Sequence, residues 1–185
     1  MERSGSPSRA KGALFWTLVA TIVATDVLTK LVAKNALVPY RMPREVIGDW
    51  VRFTLVFNQG AAFGLHLGPW SRQIFLLLTV VALIILGRLY RDTRPGDRLR
   101  VIALGLVCGG AVGNLIDRIR SPMGVVDFLD IGVGTWRWPT FNVADIAVTT
   151  GALLLAWALW GEDRAREGLA IEEAAGSRKQ EAETT

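Results

Sequence analysis

The chain is poor in the residues that most hydrolytic and metal chemistry uses. It has one cysteine, Cys108, and one histidine, His66, among 185 residues. A single cysteine excludes an internal disulfide, and its place in an apolar run argues against a thiol metal site. A Ser-His-Asp arrangement would have to pass through His66. The serines near the apolar runs, Ser71 and Ser121, lie outside any G-x-S-x-G context. There is no H-E-x-x-H, no P-loop and no G-x-G-x-x-G after a strand, and a lone loop histidine is ordinarily structural or solvated. Serine, cysteine and metal hydrolases are therefore poorly supplied, and no metal or organic cofactor is expected.

Also missing is a charge-free run long enough to cross a bilayer. Four such runs stand out: Gly12–Thr25, Gln73–Gly87, Val101–Ile116 and Ile146–Gly161. Each falls short of the ~20 apolar residues a span needs. Yet 51% of the residues are hydrophobic and the mean hydropathy is +0.33, too apolar for an ordinary soluble domain. Polar ends must complete every span. Arg72, Arg88 and Arg100 are long enough to snorkel to headgroups. Asp26, Asp117 and Asp145 are too short for that, so they are expected to face an internal hydrated pocket.

The sequence pI near 9.7 would suit a nucleic-acid partner. The positive charges, however, flank apolar runs and form no stripe with interleaved aromatics, so they read as topology signals. Arg3, Arg9 and Lys11 precede the first run. The second connection, "RLYRDTRPGDRLR", carries Arg88, Arg91, Arg94, Arg98 and Arg100. The tail after Trp160 adds Arg164, Arg166, Arg178 and Lys179. The positive-inside rule puts these three segments on the cytoplasmic side of a four-span protein. Residues 1–11 and 162–185 are then cytoplasmic tails around a membrane domain of residues 12–161, the second tail solvated or partly helical. The first run has the basic start of a signal peptide. No A-x-A site follows it, and Asp26, Lys30 and Lys34 interrupt it at helical spacing, which favours an uncleaved span.

Asn35–Trp70 and Ile119–Phe141 lie outside in this topology. They carry Trp50, Trp70, Trp136 and Trp138, residues suited to a membrane interface. "DWVRFTLVFNQGAAFGL" is rich in β-branched and aromatic residues before Asn58, then turns through Gly60 and Gly64, which predicts a short sheet at the membrane surface. "GVVDFLDIGVGTWRWP" reads as a short strand or loop ending at Pro139, with a helix starting near Asn142. The expected fold is an all-α membrane protein of four transmembrane helices with a small extracytoplasmic β-sheet cradle.

In the third span, Gly105, Gly109 and Gly113 form a small-residue stripe that packing against another helix fully explains. Asn114 and Arg118 share a face at its outer end, with Asp117 adjacent. Arg118 either pairs with Asp117 or meets a phosphate or carbonyl oxygen. Asp127 and Asp130 sit in "VVDFLDI", and Asp145 opens the fourth span, so either of the first two can meet Asp145. Two carboxylates sharing a water can hydrolyse a peptide bond, one ionised as base and one neutral as acid. Asn142 is a natural helix cap. On these residues alone two classes stand: an intramembrane aspartyl hydrolase, and a small carrier relaying ions through Asp26, Asp117 and Asp145. A carrier prefers midplane acids and inverted repeats, neither of which is evident.

Five segments in order resemble the lipoprotein signal peptidases, or signal peptidase II family: Asp26 with Lys30, "FNQGAAFG" (Phe57–Gly64), "GGAVGNLIDR" (Gly109–Arg118), "VVDFLDI" (Val125–Ile131) and "WPTFNVADIAV" (Trp138–Val148). The resemblance covers about residues 12 to 161. It implies a bacterial inner-membrane aspartic endopeptidase that cleaves prolipoproteins before a diacylglyceryl-modified cysteine. The catalytic pair would be Asp127 and Asp145, with Asp130 in a supporting role. Asn58, Gly60, Asn114, Arg118 and Asn142 would line the substrate groove, and Asp26 would be a further polar position of that site. It also implies membrane lipid around the site, a site near the outer leaflet and sensitivity to globomycin. A monomer is expected, since packing within one chain explains the glycine stripe, and the charge pattern gives no nucleic-acid partner. Ile146 departs from the family pattern, which often has a small or hydroxyl residue after the "AD".

Overall fold

The computed structural model describes residues 7–60 and 68–183; Gly64 and His66 lie outside the described residues. The elements in order are α1 (Pro7–Ala36), β1 (Arg44–Ile47), β2 (Val51–Asn58), a 3-10 turn at Gly68–Trp70, α2 (Ser71–Asp92), α3 (Arg98–Arg120), β3 (Val125–Val133), β4 (Trp136–Arg137) and α4 (Val143–Glu183). Four helices are long and apolar enough to cross a membrane, as expected. Polar residues do complete the spans: α1 runs without a break through Asp26 and Lys30. The second tail is helical, since α4 continues past the fourth span to Glu183.

The glycine stripe explains how the bundle closes. A Cβ at Gly105 would meet Leu18 at 3.2 Å, one at Gly109 would meet Ile22 at 2.9 Å, and one at Gly113 would meet Asp26 Oδ2 at 2.5 Å. Leu18, Ile22 and Asp26 are themselves four apart, so two matching helical stripes interlock, in the way small residues allow close helix approach. The other side of α3 takes α4: Gly110 lies against the Ala144 carbonyl, and Gly151 against Ala103 and Val107. Helix α3 is thus central, with half of its apolar window buried against none in α2. The core beside α2 comprises Phe15, Val19, Val101, Leu104 and Cys108.

Both ends of the bundle are marked by side chains. At one end Lys11 donates to the Thr93 carbonyl, closing the end of α2, and Arg100 pairs with Glu162 at 2.8 Å. The three basic segments therefore share an end, as their charge pattern predicts. The opposite end carries one four-stranded antiparallel sheet in the order β1-β2-β3-β4. The segment expected to be a short strand or loop is a nine-residue strand, β3, turning through Gly134 into β4. Its inner face (Val126, Phe128) and Leu55 of β2 pack on Ala33 of α1 and on Leu37 just beyond it. Trp50, Trp70, Trp136 and Trp138 are all exposed.

Candidate active site

Four strand and helix ends converge where the sheet meets the bundle. Strand β2 ends in Asn58, α3 ends near Asn114 and Arg118, β3 carries Asp127, and α4 opens with Asn142 and Asp145. Their register is specific: Val56 lies opposite Asp127 and Asn58 opposite Val125. Gly124, at φ +97°, lets β3 start against the Asn58 carbonyl, a place where any Cβ would collide.

The start of α4 is a reciprocal cap. Asn142 Oδ1 accepts the Asp145 N–H at 2.9 Å, while Asp145 Oδ2 accepts the Asn142 N–H at 3.1 Å. This is the capping-box arrangement with Asp in the third helical position. Asn142 Nδ2 then donates to Asp127 Oδ1 at 2.7 Å, to the Val126 carbonyl at 3.3 Å and to Asn114 Oδ1 at 3.2 Å. One buried amide thereby ties the two aspartates together. Asn142 is 0% exposed, so its amide is used wholly inside the protein.

The two carboxylates have different surroundings. Asp127 is 2% exposed and accepts from Asn142 and, at 3.1 Å, from Asn58 Nδ2. Burial, with the charge of nearby Asp145 adding to it, pushes its carboxyl up to about 7. Asp145 is less buried and accepts at 2.8 Å from Asn114 Nδ2 besides the Asn142 N–H. It also sits in the first turn of α4, where the helix dipole favours negative charge.

A groove of about 1170 Å³ opens over this pair. Asn58, Gly60, Asn114, Arg118, Asp127 and Asp145 line it, so six of the eight residues singled out in the sequence share one cavity wall. Ile146, 47% exposed, lines it as well. Asn142 and Asp26 stand behind that wall. Asp26 is fully buried; its Oδ1 accepts the Ala144 N–H at 2.9 Å, holding the first turn of α4 from α1.

Three readings change. Asp130 is not interchangeable with Asp127: three residues along β3, it accepts from Thr54 at 2.9 Å and pairs with Arg137 at 2.6 Å, outside the groove. Asp117 and Arg118 form no ion pair with each other. Asp117 instead pairs with Lys30 at 2.8 Å and accepts from the Val126 N–H at 3.2 Å, while Arg118, 9% exposed, donates to the Gly60 carbonyl at 3.2 Å. Arg72, expected to reach toward headgroups, donates to the Arg118 carbonyl at 3.1 Å. In the sequence Lys30 stands out as an interruption of the first apolar run and within a motif, without a site role of its own. Its i, i+4 spacing from Asp26 inside an apolar span was the available signal for a buried charge partner. Among the described residues no three His, Cys, Asp or Glu side chains converge as a metal-binding group.

The family model described as signal peptidase (SPase) II matches residues 18–161. The chain is similar to the lipoprotein signal peptidase of Paraburkholderia phytofirmans, 41% identical over 152 residues, covering 80% of this chain and 86% of that protein. It is similar to the lipoprotein signal peptidase of Mycolicibacterium smegmatis, 40% identical over 185 residues, covering 93% and 75%. A bacterial membrane enzyme solved by the in meso method at 2.3 Å superposes with a TM-score of 0.72 at 29% identity, covering 80% of this chain and 88% of that one. With four apolar helices and an antiparallel sheet at one end of the bundle in place, the chain belongs to the signal peptidase II family.

Proposed function

We propose that the chain removes signal peptides from prolipoproteins as an aspartic endopeptidase, with Asp127 and Asp145 as its catalytic pair. The observation that carries the reading is the Asn142 bridge, which joins both carboxylates at the wall of one groove. Asp145 is the ionised base, favoured by the helix terminus and two N–H donors. Asp127, buried and pushed up to about 7, is the neutral acid.

In the attack step Asp145 takes a proton from water as its oxygen bonds to the scissile carbonyl carbon, and Asp127 gives its proton to the carbonyl oxygen. The tetrahedral diol then collapses. Asp145 passes its proton to the leaving amine, the C–N bond breaks, and Asp127 recovers a proton from the hydroxyl that becomes the new carbonyl. Protons and charge balance over the cycle, so the pair is restored.

Asn58, Gly60, Asn114 and Arg118 offer donors and acceptors along the groove that suit an extended peptide backbone. Asp26 and Asn142 act from behind it, by holding α4. The groove exceeds the roughly 300–1,000 Å³ of a small-molecule site, in keeping with a peptide carrying a diacylglyceryl cysteine. The catalytic domain is residues 12–161. The basic end of the bundle and both tails, 1–11 and 162–185, face the cytoplasm of a bacterial inner membrane, and the sheet and dyad lie near the outer leaflet. The chain acts as a monomer among membrane lipids, and globomycin would occupy the same groove.

The test is cleavage of a diacylglyceryl-modified prolipoprotein by the purified chain, Asp127→Asn and Asp145→Asn. Product from the wild type, none from either variant, and inhibition by globomycin are expected. Substantial cleavage by either variant would sink the aspartic assignment.

A further inference from the structure

Lys30 is the one buried lysine at the sheet end of the bundle among the described residues, and the proton transfers above do not use it. Its side chain is 3% exposed, and three oxygens surround its ammonium: Asp26 Oδ2 at 2.7 Å, Asp117 Oδ2 at 2.8 Å and Asn114 Oδ1 at 2.9 Å. An ammonium has three donors and no acceptor; here it hydrogen-bonds to Asn114 and ion-pairs with the two carboxylates. The contact with Asn114 has a directional consequence. An amide can face an ammonium only with its oxygen, which turns the Asn114 NH2 the other way. There it donates to Asp145 Oδ1 at 2.8 Å. Asn142 Nδ2 adds a longer donation to the Asn114 Oδ1 at 3.2 Å, in the same sense as Lys30.

We propose that Lys30 is a positioning residue of the peptidase site: by holding the Asn114 oxygen it makes that amide present its NH2 to Asp145, keeping Asp145 the anionic member of the pair. The inference rests on the dyad reading above. The other charged groups facing this cluster are Asp26 from α1, Asp117 and Arg118 from α3, and Asp127 from β3. All of them remain in Lys30→Met, so the profile of that variant reports the loss of the ammonium and of the orientation it imposes.

The experiment is the pH profile of kcat/KM on a lipidated prolipopeptide for the wild type, Lys30→Met, Asn114→Ala and the pair, with Asp145→Asn as the control for the dyad. Loss of the anion's donor moves the acidic limb to higher pH, by about one unit for one removed charge-assisted contact. The two single variants should show the same shift, the pair no more than either, and kcat should fall more than KM rises. A limb left in place in Lys30→Met, or a shift in the pair equal to the sum, overturns the proposal. Lys30→Met leaves Asp26 without its cation, so Lys30→Met with Asp26→Asn is run beside it. That exchange removes both charges and keeps an oxygen for the Ala144 N–H. It should show the same shifted limb; a wild-type profile, or failure of both Lys30 variants to fold, would assign Lys30 to the fold alone and overturn the proposal. Activity in Asp145→Asn would instead bring down the dyad reading itself.

Discussion

Replacing Asn142 separates two things that its amide does at once. As a cap it satisfies the Asp145 N–H, and loss of such a cap costs about 1 kcal/mol. As a bridge its fully buried amide donates to Asp127 Oδ1 and the Val126 carbonyl. Leaving such buried acceptors unpaired costs about 1–3 kcal/mol more. Asn142→Ala should therefore lose roughly 2–4 kcal/mol of stability. Its activity should fall further than that loss explains, because both carboxylates lose their common anchor. A misplacement of about 1 Å near the chemistry is worth about 100-fold in rate. Asn142→Ser discriminates between the roles. A serine hydroxyl can accept the Asp145 N–H and restore the cap, but it is too short to reach Asp127 as the asparagine does. The serine variant should recover about 1 kcal/mol of stability relative to alanine, with kcat still about 100-fold down. The assay is cleavage of a lipidated prolipopeptide at fixed pH, alongside thermal unfolding in the same detergent. Full activity in Asn142→Ser, or near-normal activity in Asn142→Ala, would refute the bridge and leave only a cap.

Other consequences can be checked with the same assay. Asp127 must be protonated to act as acid, and its carboxyl is pushed up to about 7, so kcat/KM should fall as pH rises through about 7. Its ordinary value is 3.8, so the folded state holds this proton more tightly than the unfolded chain; stability from this group should likewise be present at low pH and be lost between about 4 and 7. A profile still rising above pH 8 would contradict the assignment. Gly113→Ala puts a Cβ 2.5 Å from Asp26 Oδ2, so the buried Asp26 carboxylate must shift; a loss of about 1–3 kcal/mol is expected, with reduced activity because Asp26 also holds Ala144. Asp130→Asn should lower the melting temperature by weakening the Arg137 pair while keeping most of the activity; a dead but folded Asp130→Asn would place it in the chemistry after all.

Much of this was legible along the chain because the signals are local. Four apolar runs, basic clusters at alternate connections, and aromatic-rich segments at the others are properties of consecutive residues, and the membrane makes each of them costly to misplace. The clustering of the candidate residues was legible as well: six of the eight singled out in the sequence share the groove. The length of β3 was not: its pairing with β2 is a contact across dozens of residues, and the second tail's helix continues α4 without any apolar period of its own.

What the sequence alone determined is the set of spans, the gathering of the basic segments at one end of them, and the presence of short acids toward the other. What only the tertiary structure decided is which partner each charge takes. Asp127 and Asp130 are chemically identical and three residues apart; the strand's alternation and its register with β2 turn one toward α4 and the other toward Arg137. Asp117 and Arg118 are neighbours in sequence, yet successive helical side chains do not face each other, and Lys30 from α1 and Gly60 beyond β2 take them instead. The glycine stripe announces that some helix will approach closely, but that it is α1, bringing Asp26 and Lys30 to the rear of the groove wall that carries Asp127 and Asp145, follows only from the interlocking of the two stripes. Local pattern sets which groups must be paired; long-range packing in a low-dielectric interior sets with whom, because there an unpaired charge is too costly to leave.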